Sequence, residues 1–185
     1  MGNTKSLPDK EKEDVLSKFS HFNPHDVIFW YKSFEREFPN NLITLHDLEK
    51  IFKDLFPFGN CKLFVKHLFR TINIGNTQKI DFNELFIAFS ILTKGSKFEK
   101  LRWIFRFYDI DNDGVVSKNE AMIIANALYE MYGRFFHMEV DVKQRVDEIF
   151  KELNIESGFL TFEDFLDFAD NNPDMLIRLA ILESN

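Results

Sequence analysis

Cysteine occurs once in the 185 residues, as Cys61. A single thiol excludes an internal disulfide and any cysteine-cluster metal site, and it suits a reducing cytosol. Long apolar runs are missing too: none approaches the roughly 18 residues that a membrane helix needs, and the N-terminus has no secretory apolar core. Positive charge is in the minority, 23 Lys and Arg against 30 Asp and Glu, and the net charge of −7 argues against nucleic acid as a main partner. No glycine-rich phosphate loop occurs, and no Ser/His/Asp or Cys/His arrangement has supporting context, so an enzyme is not expected. His21 and His25 stand four apart, but Pro24 between them starts a helix, and they do not present one metal-binding face. Tryptophan and tyrosine are sparse, at 2 and 4, whereas phenylalanine numbers 23. What is left is an acidic, soluble, cytoplasmic chain with much flat apolar surface to place.

Internal repetition organises that surface. Four segments share one plan: an amphipathic run, a polar loop with one buried aliphatic, then a second amphipathic run. The loop aliphatics Ile43, Ile80, Val116 and Leu160 recur about every 40 residues, a period suited to helix–loop–helix units. Val27, Trp30, Tyr31 and Phe34 take helical spacing, as do Phe98, Leu101, Phe105 and Tyr108, and then Val146, Ile149, Phe150 and Leu153. Asn23 and Pro24 supply a cap and a first-turn proline for the first helix. Phe69, Phe105, Phe150 and Phe165 fall at repeat core positions. The polar stretch 93–97 separates the second unit from the third. An all-α fold is therefore expected, with four units paired into lobes at 1–92 and 98–185 and short antiparallel β pairing between loops. A further short helix is expected after Asn172-Pro173, with Met175, Leu176, Leu179 and Leu182 on one side.

The third loop carries the chemistry. Asp109, Asp111 and Asp113 occupy positions one, three and five of a twelve-residue frame that closes on Glu120. Calcium is a hard cation that takes six to eight oxygens. Val115 would add its backbone carbonyl, Ser117 would act through water, and Glu120 would give both oxygens. Gly114 stands where the chain must turn sharply, and Val116 points inward to pair with the neighbouring loop. A simple capped surface turn leaves Glu120 and the flanking apolar stripes unexplained. One calcium site is expected here, with magnesium able to occupy the same oxygens at resting calcium.

The other loops lack this set. Loop 73–84 keeps Asn73, Asp81 and Glu84 but has Gly75, Thr77 and Gln78 at positions three, five and six. The fourth loop is one residue short if it starts at Asn154, and it ends on the shorter Asp164. The first carries Phe38-Pro39 where ligands belong. No ion is expected in these three. Their role is scaffolding.

Met1-Gly2-Asn3-Thr4-Lys5-Ser6 fits an N-myristoylation pattern with Gly2 as acceptor. A single acyl chain gives only about 10⁴ M⁻¹ of membrane affinity, and Lys5, Lys10 and Lys12 are offset by Asp9, Glu11, Glu13 and Asp14, so peripheral, reversible association is expected.

The chain resembles the neuronal calcium sensor family over nearly its whole length. The resemblance rests on the Met-Gly start, Trp30-Tyr31-Lys32, the first loop containing Pro39, and Phe56-Pro57-Phe58-Gly59. It continues through Glu99-Lys100-Leu101-Arg102-Trp103, the third loop with Tyr108 before it, and Arg145-Val146-Asp147. Frequenin-like members bind calcium at the second, third and fourth loops, whereas here only the third keeps its ligands. The resemblance implies acylation of Gly2 and an apolar groove for an amphipathic target helix. The matching positions are Trp30, Phe34, Leu48, Ile51, Phe52, Leu55, Leu85, Phe89 and Trp103. Periodicity alone reads such stripes as core; the family match turns Trp30, Phe34, Phe52, Phe89 and Trp103 toward the groove. The implied targets are a lipid kinase, receptor, channel or exchange-factor regulator, bound by a monomer or weak dimer on the cytosolic face of a membrane. The C-terminal helix is a candidate to fold into the groove when no partner is present. The competing reading is a calcium-insensitive subunit of a heteromeric complex with one structural ion.

Overall fold

The computed structural model describes residues 20–132, 141–153, 155 and 157–171. Gly2 and the helix expected after Asn172 lie outside the described residues. Eight helices and two strands are present among those described: α1 Pro24–Glu37, α2 Leu45–Leu55, α3 Lys62–Ile72, α4 Phe82–Lys94, α5 Lys97–Tyr108, β1 Val115–Ser117, α6 Lys118–Tyr132, α7 Val142–Glu152, β2 Phe159–Thr161 and α8 Phe162–Asn171. The fold is all-α apart from this short pairing, as the repeats imply.

Local chemistry explains the helix starts. Asn23 has extended backbone, its side chain accepts from the Asp26 amide at 3.0 Å, and Pro24 opens α1. Such a cap stabilises a helix by about 1 kcal/mol. Ser96 and Glu99 form a reciprocal box at the start of α5: the Ser96 amide and hydroxyl donate to Glu99 Oε2 at 2.8 and 2.7 Å. The break between α4 and α5 is short, because Gly95 caps α4 and Lys97 begins α5.

The loops join as antiparallel pairs. Ile43 and Ile80 exchange both backbone hydrogen bonds, at 2.8 and 2.9 Å. Val116 pairs with Leu160 at the centre of β1–β2. All four aliphatics are buried, since a residue at the middle of a two-loop ladder has its side chain directed into the helices on either side.

By packing, the described chain forms two compact units. One comprises residues up to Thr44 together with Ile72–Lys100, and the other Leu45–Thr71 together with residues from Leu101 onward. In the first, Val27, Phe34, Phe82 and Phe86 are buried, with Phe34 edge-on to Phe82 at 5.5 Å and Phe82 stacked on Phe86 at 5.2 Å. In the second, Phe69, Phe105, Phe150 and Phe165 are buried, as their repeat positions require. Phe98 departs from its expected stripe: it is 49% exposed in the first turn of α5, while Leu101, Phe105 and Tyr108 are buried.

A tight turn in the second unit has a plain physical basis. The Asn60 amide donates to the Glu130 carbonyl at 2.8 Å, and the Asn60 side chain donates to Glu130 Oε2 at 2.9 Å. A Cβ on Gly59 would lie 1.7 Å from the Met131 carbonyl oxygen. Only glycine permits that approach. Cys61 is buried beside this turn in sequence, a packing residue.

Candidate calcium site

Loop 109–120 begins where α5 ends and closes in the first turn of α6. Its backbone is folded by two left-handed residues, Asn112 at φ 59° and Gly114 at φ 92°. Asparagine and glycine tolerate that region best. The result turns amide hydrogens toward carboxylates. Asp109 Oδ1 accepts from the Asp113 amide at 3.2 Å, and its Oδ2 from the Gly114 amide at 3.1 Å. Asp113 Oδ1 accepts from the Val115 amide at 3.0 Å.

Glu120 ties the two ends of the loop. Its Oε1 accepts from the Ile110 amide at 2.7 Å, while Oε2 accepts from the Ser117 amide at 2.8 Å and hydroxyl at 2.7 Å. The Ser117 hydroxyl in turn accepts from the Glu120 amide at 3.2 Å. Positions nine and twelve of the loop therefore double as a capping box for α6.

Asp109, Asp111 and Glu120 bring one carboxylate oxygen each within 4.8 Å of one another. Asp109 and Glu120 are only 6% and 8% exposed. Buried like charges at that separation repel and are costly unless neutralised. Burial pushes the Asp109 carboxyl above its ordinary range, amides of Gly114 and Asn112 partly offset this, and the charges of Asp113 and Glu120 add to it. Burial also opposes ionisation of Glu120, but hydrogen bonds from Ser117, Ile110 and Asp111 prevail and hold it below the usual carboxylate range. A convergent, all-oxygen, anionic cluster on a tight left-handed frame fits a hard divalent cation. Asp113 stands outside the closest trio. Val115 is half-buried within β1 and Ser117 ends that strand.

Loop 73–84 has the same frame and a different interior. Asn76 and Gln78 hold φ 51° and 61° at positions four and six, matching Asn112 and Gly114. Glu84 Oε1 accepts from the Gly75 amide at 2.8 Å and Oε2 from the Asp81 amide at 3.2 Å, completing a capping box for α4. The Asn73 side chain accepts from the Thr77 amide at 3.2 Å. The Thr77 hydroxyl donates to the Lys79 carbonyl at 2.7 Å, the position-seven oxygen that corresponds to Val115. In loop four, the Thr161 hydroxyl donates to Asp164 Oδ2 at 2.6 Å, again closing a cap. In loop one, the Asn41 amide donates to the Phe38 carbonyl at 2.8 Å.

The residues matched to the groove divide between the units. Trp30, Phe34, Leu85 and Phe89 line one apolar concavity of about 260 Å³ in the first unit. Phe38, Phe82 and Phe86 line it as well, though the sequence reading did not assign them there. The i, i+4, i+7 spacing of Phe82, Phe86 and Phe89 on α4 was the available signal. Leu48, Ile51, Phe52, Leu55 and Trp103 belong to the second unit. There Leu48 is buried, Ile51 and Leu55 are exposed, Phe52 lies 5.5 Å from Phe64, and Trp103 stacks on Phe107.

No protein-family model matches the chain. The chain is similar to neuronal calcium sensor 1 of Lymnaea stagnalis, 31% identical over 188 residues that take in 100% of this chain and 98% of that protein. The chain belongs to the neuronal calcium sensor family. It is also similar to S-modulin of Aquarana catesbeiana, 34% identical over 132 residues, 71% of this chain and 65% of that protein. Membership makes it a calcium-binding EF-hand protein of calcium signalling, and its relatives are sensors rather than enzymes. No helix among the described residues is long and apolar enough to cross a membrane.

Proposed function

We propose that this calcium sensor responds through one ion, held in loop 109–120 by the carboxylates of Asp109, Asp111, Asp113 and Glu120, the Val115 carbonyl, and Ser117 through water. The observation that carries the reading is the convergence of Asp109, Asp111 and Glu120 within 4.8 Å. Calcium, when bound, supplies the positive charge that these carboxylates lack; magnesium fills the same oxygens at resting calcium. Asp109 follows α5 and Glu120 belongs to α6, so neutralising their repulsion alters the constraint between the two helices. The pairing of the first loop with the second and the third with the fourth supports lobes at 1–92 and 98–185, whereas by packing residues 45–71 fall in the second compact unit.

The target is an amphipathic helix, taken up through its apolar face. The concavity lined by Trp30, Phe34, Leu85 and Phe89 supports this: its wall is almost entirely apolar and rich in aromatic rings, the surface that helix-in-groove recognition uses. Targets of the lipid kinase, receptor, channel or exchange-factor regulator kind follow by family analogy. Acylation of Gly2 gives reversible attachment to the cytosolic face of a membrane.

A second reading has its own support. Loop 73–84 satisfies its ligand positions internally, so the first unit, with its concavity, needs no ion to close. That favours a subunit bound to its partner at all calcium levels. Affinity capture by the full chain in calcium and in chelator, with Glu120→Gln alongside, separates the two. Partners retained only by the wild type in calcium support the sensor. Identical partners in all three samples support the constitutive subunit and defeat the sensor.

A further inference from the structure

Arg70 lies on α3, in the same compact unit as the candidate calcium loop. Its guanidinium points into the carbonyl end of α5. Nη1 donates to the carbonyls of Asp109 at 2.5 Å and Ile110 at 2.8 Å. Nη2 donates to the carbonyls of Phe107 at 2.9 Å and Arg106 at 3.1 Å. Two carbonyls of the last turn of α5 and the first two of the loop that follows are thus gathered by one planar cation from another helix.

The chemistry suits that place. The last carbonyls of a helix have no intrahelical donors and carry the negative end of its dipole. Here the end falls on the first ligand position of an anionic loop, so an unsatisfied carbonyl would be both unpaired and repelled. A guanidinium offers forked donors in a fixed plane, which a lysine ammonium does not. Packing joins the two helices at the same place: Phe64 on the same helix lies 5.5 Å from Phe107, one of the residues whose carbonyl Arg70 holds. Burial draws the guanidinium down from its ordinary value, while Asp109, Glu120 and Asp111 act on it in the opposite sense.

We infer that Arg70 is a positioning residue of the calcium site, holding the α5 carboxyl end so that Asp109 is presented to the ion already in place. It ligates nothing itself. Its effect is to remove the ordering that Asp109 would otherwise undergo on binding, so the site gains affinity from a residue of a different helix–loop–helix unit. The inference rests on the assignment of calcium to loop 109–120.

Calorimetric titration of the full chain with calcium tests it, using Arg70→Gln, Arg70→Lys and Glu120→Gln. Arg70→Gln is expected to keep one site and weaken it about tenfold, and Arg70→Lys to weaken it about threefold, because lysine restores charge without the fork. The rise in melting temperature on adding calcium should shrink in the same order. If Arg70→Gln lowers the ion-free melting temperature but binds calcium as the wild type does, Arg70 is only a packing residue and the inference fails. Tighter binding by Arg70→Gln overturns it equally, since Arg70 would then be a competing cation. Arg70→Lys retains a long charged side chain and guards against a glutamine variant that does not fold. Persistent binding by Glu120→Gln would instead overturn the assignment of the site.

Discussion

Loops 73–84 and 109–120 differ in what fills the same backbone. Both hold left-handed residues at positions four and six, both end in a glutamate that caps the following helix, and both bury an aliphatic at position eight. In the third loop, three carboxylates converge and repel, leaving the interior short of positive charge. In the second, Asn73 and Gly75 stand where Asp109 and Asp111 do, the closing glutamate is kept, and the loop's own donors and acceptors pair: Thr77 serves the Lys79 carbonyl, and Glu84 takes the Gly75 amide. Loop 73–84 thus keeps the backbone frame of loop 109–120 without acidic residues at positions one, three and five. On the proposed function, ion binding belongs to the carboxylates and not to the frame.

Substitutions at corresponding positions test this division, and the largest effect belongs to position twelve. Glu120→Gln removes one charge and one acceptor from the centre of the charged loop. It is expected to abolish the calorimetric calcium isotherm. The counterpart Glu84→Gln should leave that isotherm unchanged and cost roughly 1 kcal/mol in urea unfolding, the scale of one hydrogen bond. Loss of calcium binding in the Glu84 variant would contradict the division between the loops.

Rebuilding the second loop is the next step down. Asn73→Asp, Gly75→Asp, Thr77→Asp and Gln78→Gly together give it the third loop's ligands on a frame it already has. Calcium stoichiometry should rise by one. If it does not, the two frames differ in more than their side chains.

Position six gives the smallest effects, with opposite signs. Gln78 holds φ 61° with a side chain that disfavours it, so Gln78→Gly should stabilise the chain by about 0.5–1 kcal/mol. Gly114→Ala should destabilise by about 1 kcal/mol, and for conformational reasons alone, since nothing lies within 4 Å of the added Cβ. Denaturant unfolding in chelator reads both without interference from the ion.

What was legible in the sequence follows the same physics. Ile43, Ile80, Val116 and Leu160 could be placed because a lone aliphatic in a polar loop has one reason to be there, and the convergence of Asp109, Asp111 and Glu120 was legible because carboxylates at that spacing mark one oxygen-lined loop. Gln78 could not: glutamine carries no mark of a left-handed backbone, and the conformation comes from the loop around it. Arg70 was equally hidden. Its partners are main-chain carbonyls, which every residue possesses, and they lie 36 to 40 residues away in sequence. Phe38 read as a residue that spoils an ion loop; it also lines the apolar concavity beside Phe34. The Gly2 pattern and the helix expected after Asn172 fall outside the described residues.

Calorimetric titration of the unmodified full chain with calcium tests the central claim most directly. One site is predicted, with a simple non-cooperative isotherm. A stoichiometry of two or more would contradict the account, because a loop without the third loop's set of carboxylates would then be binding an ion.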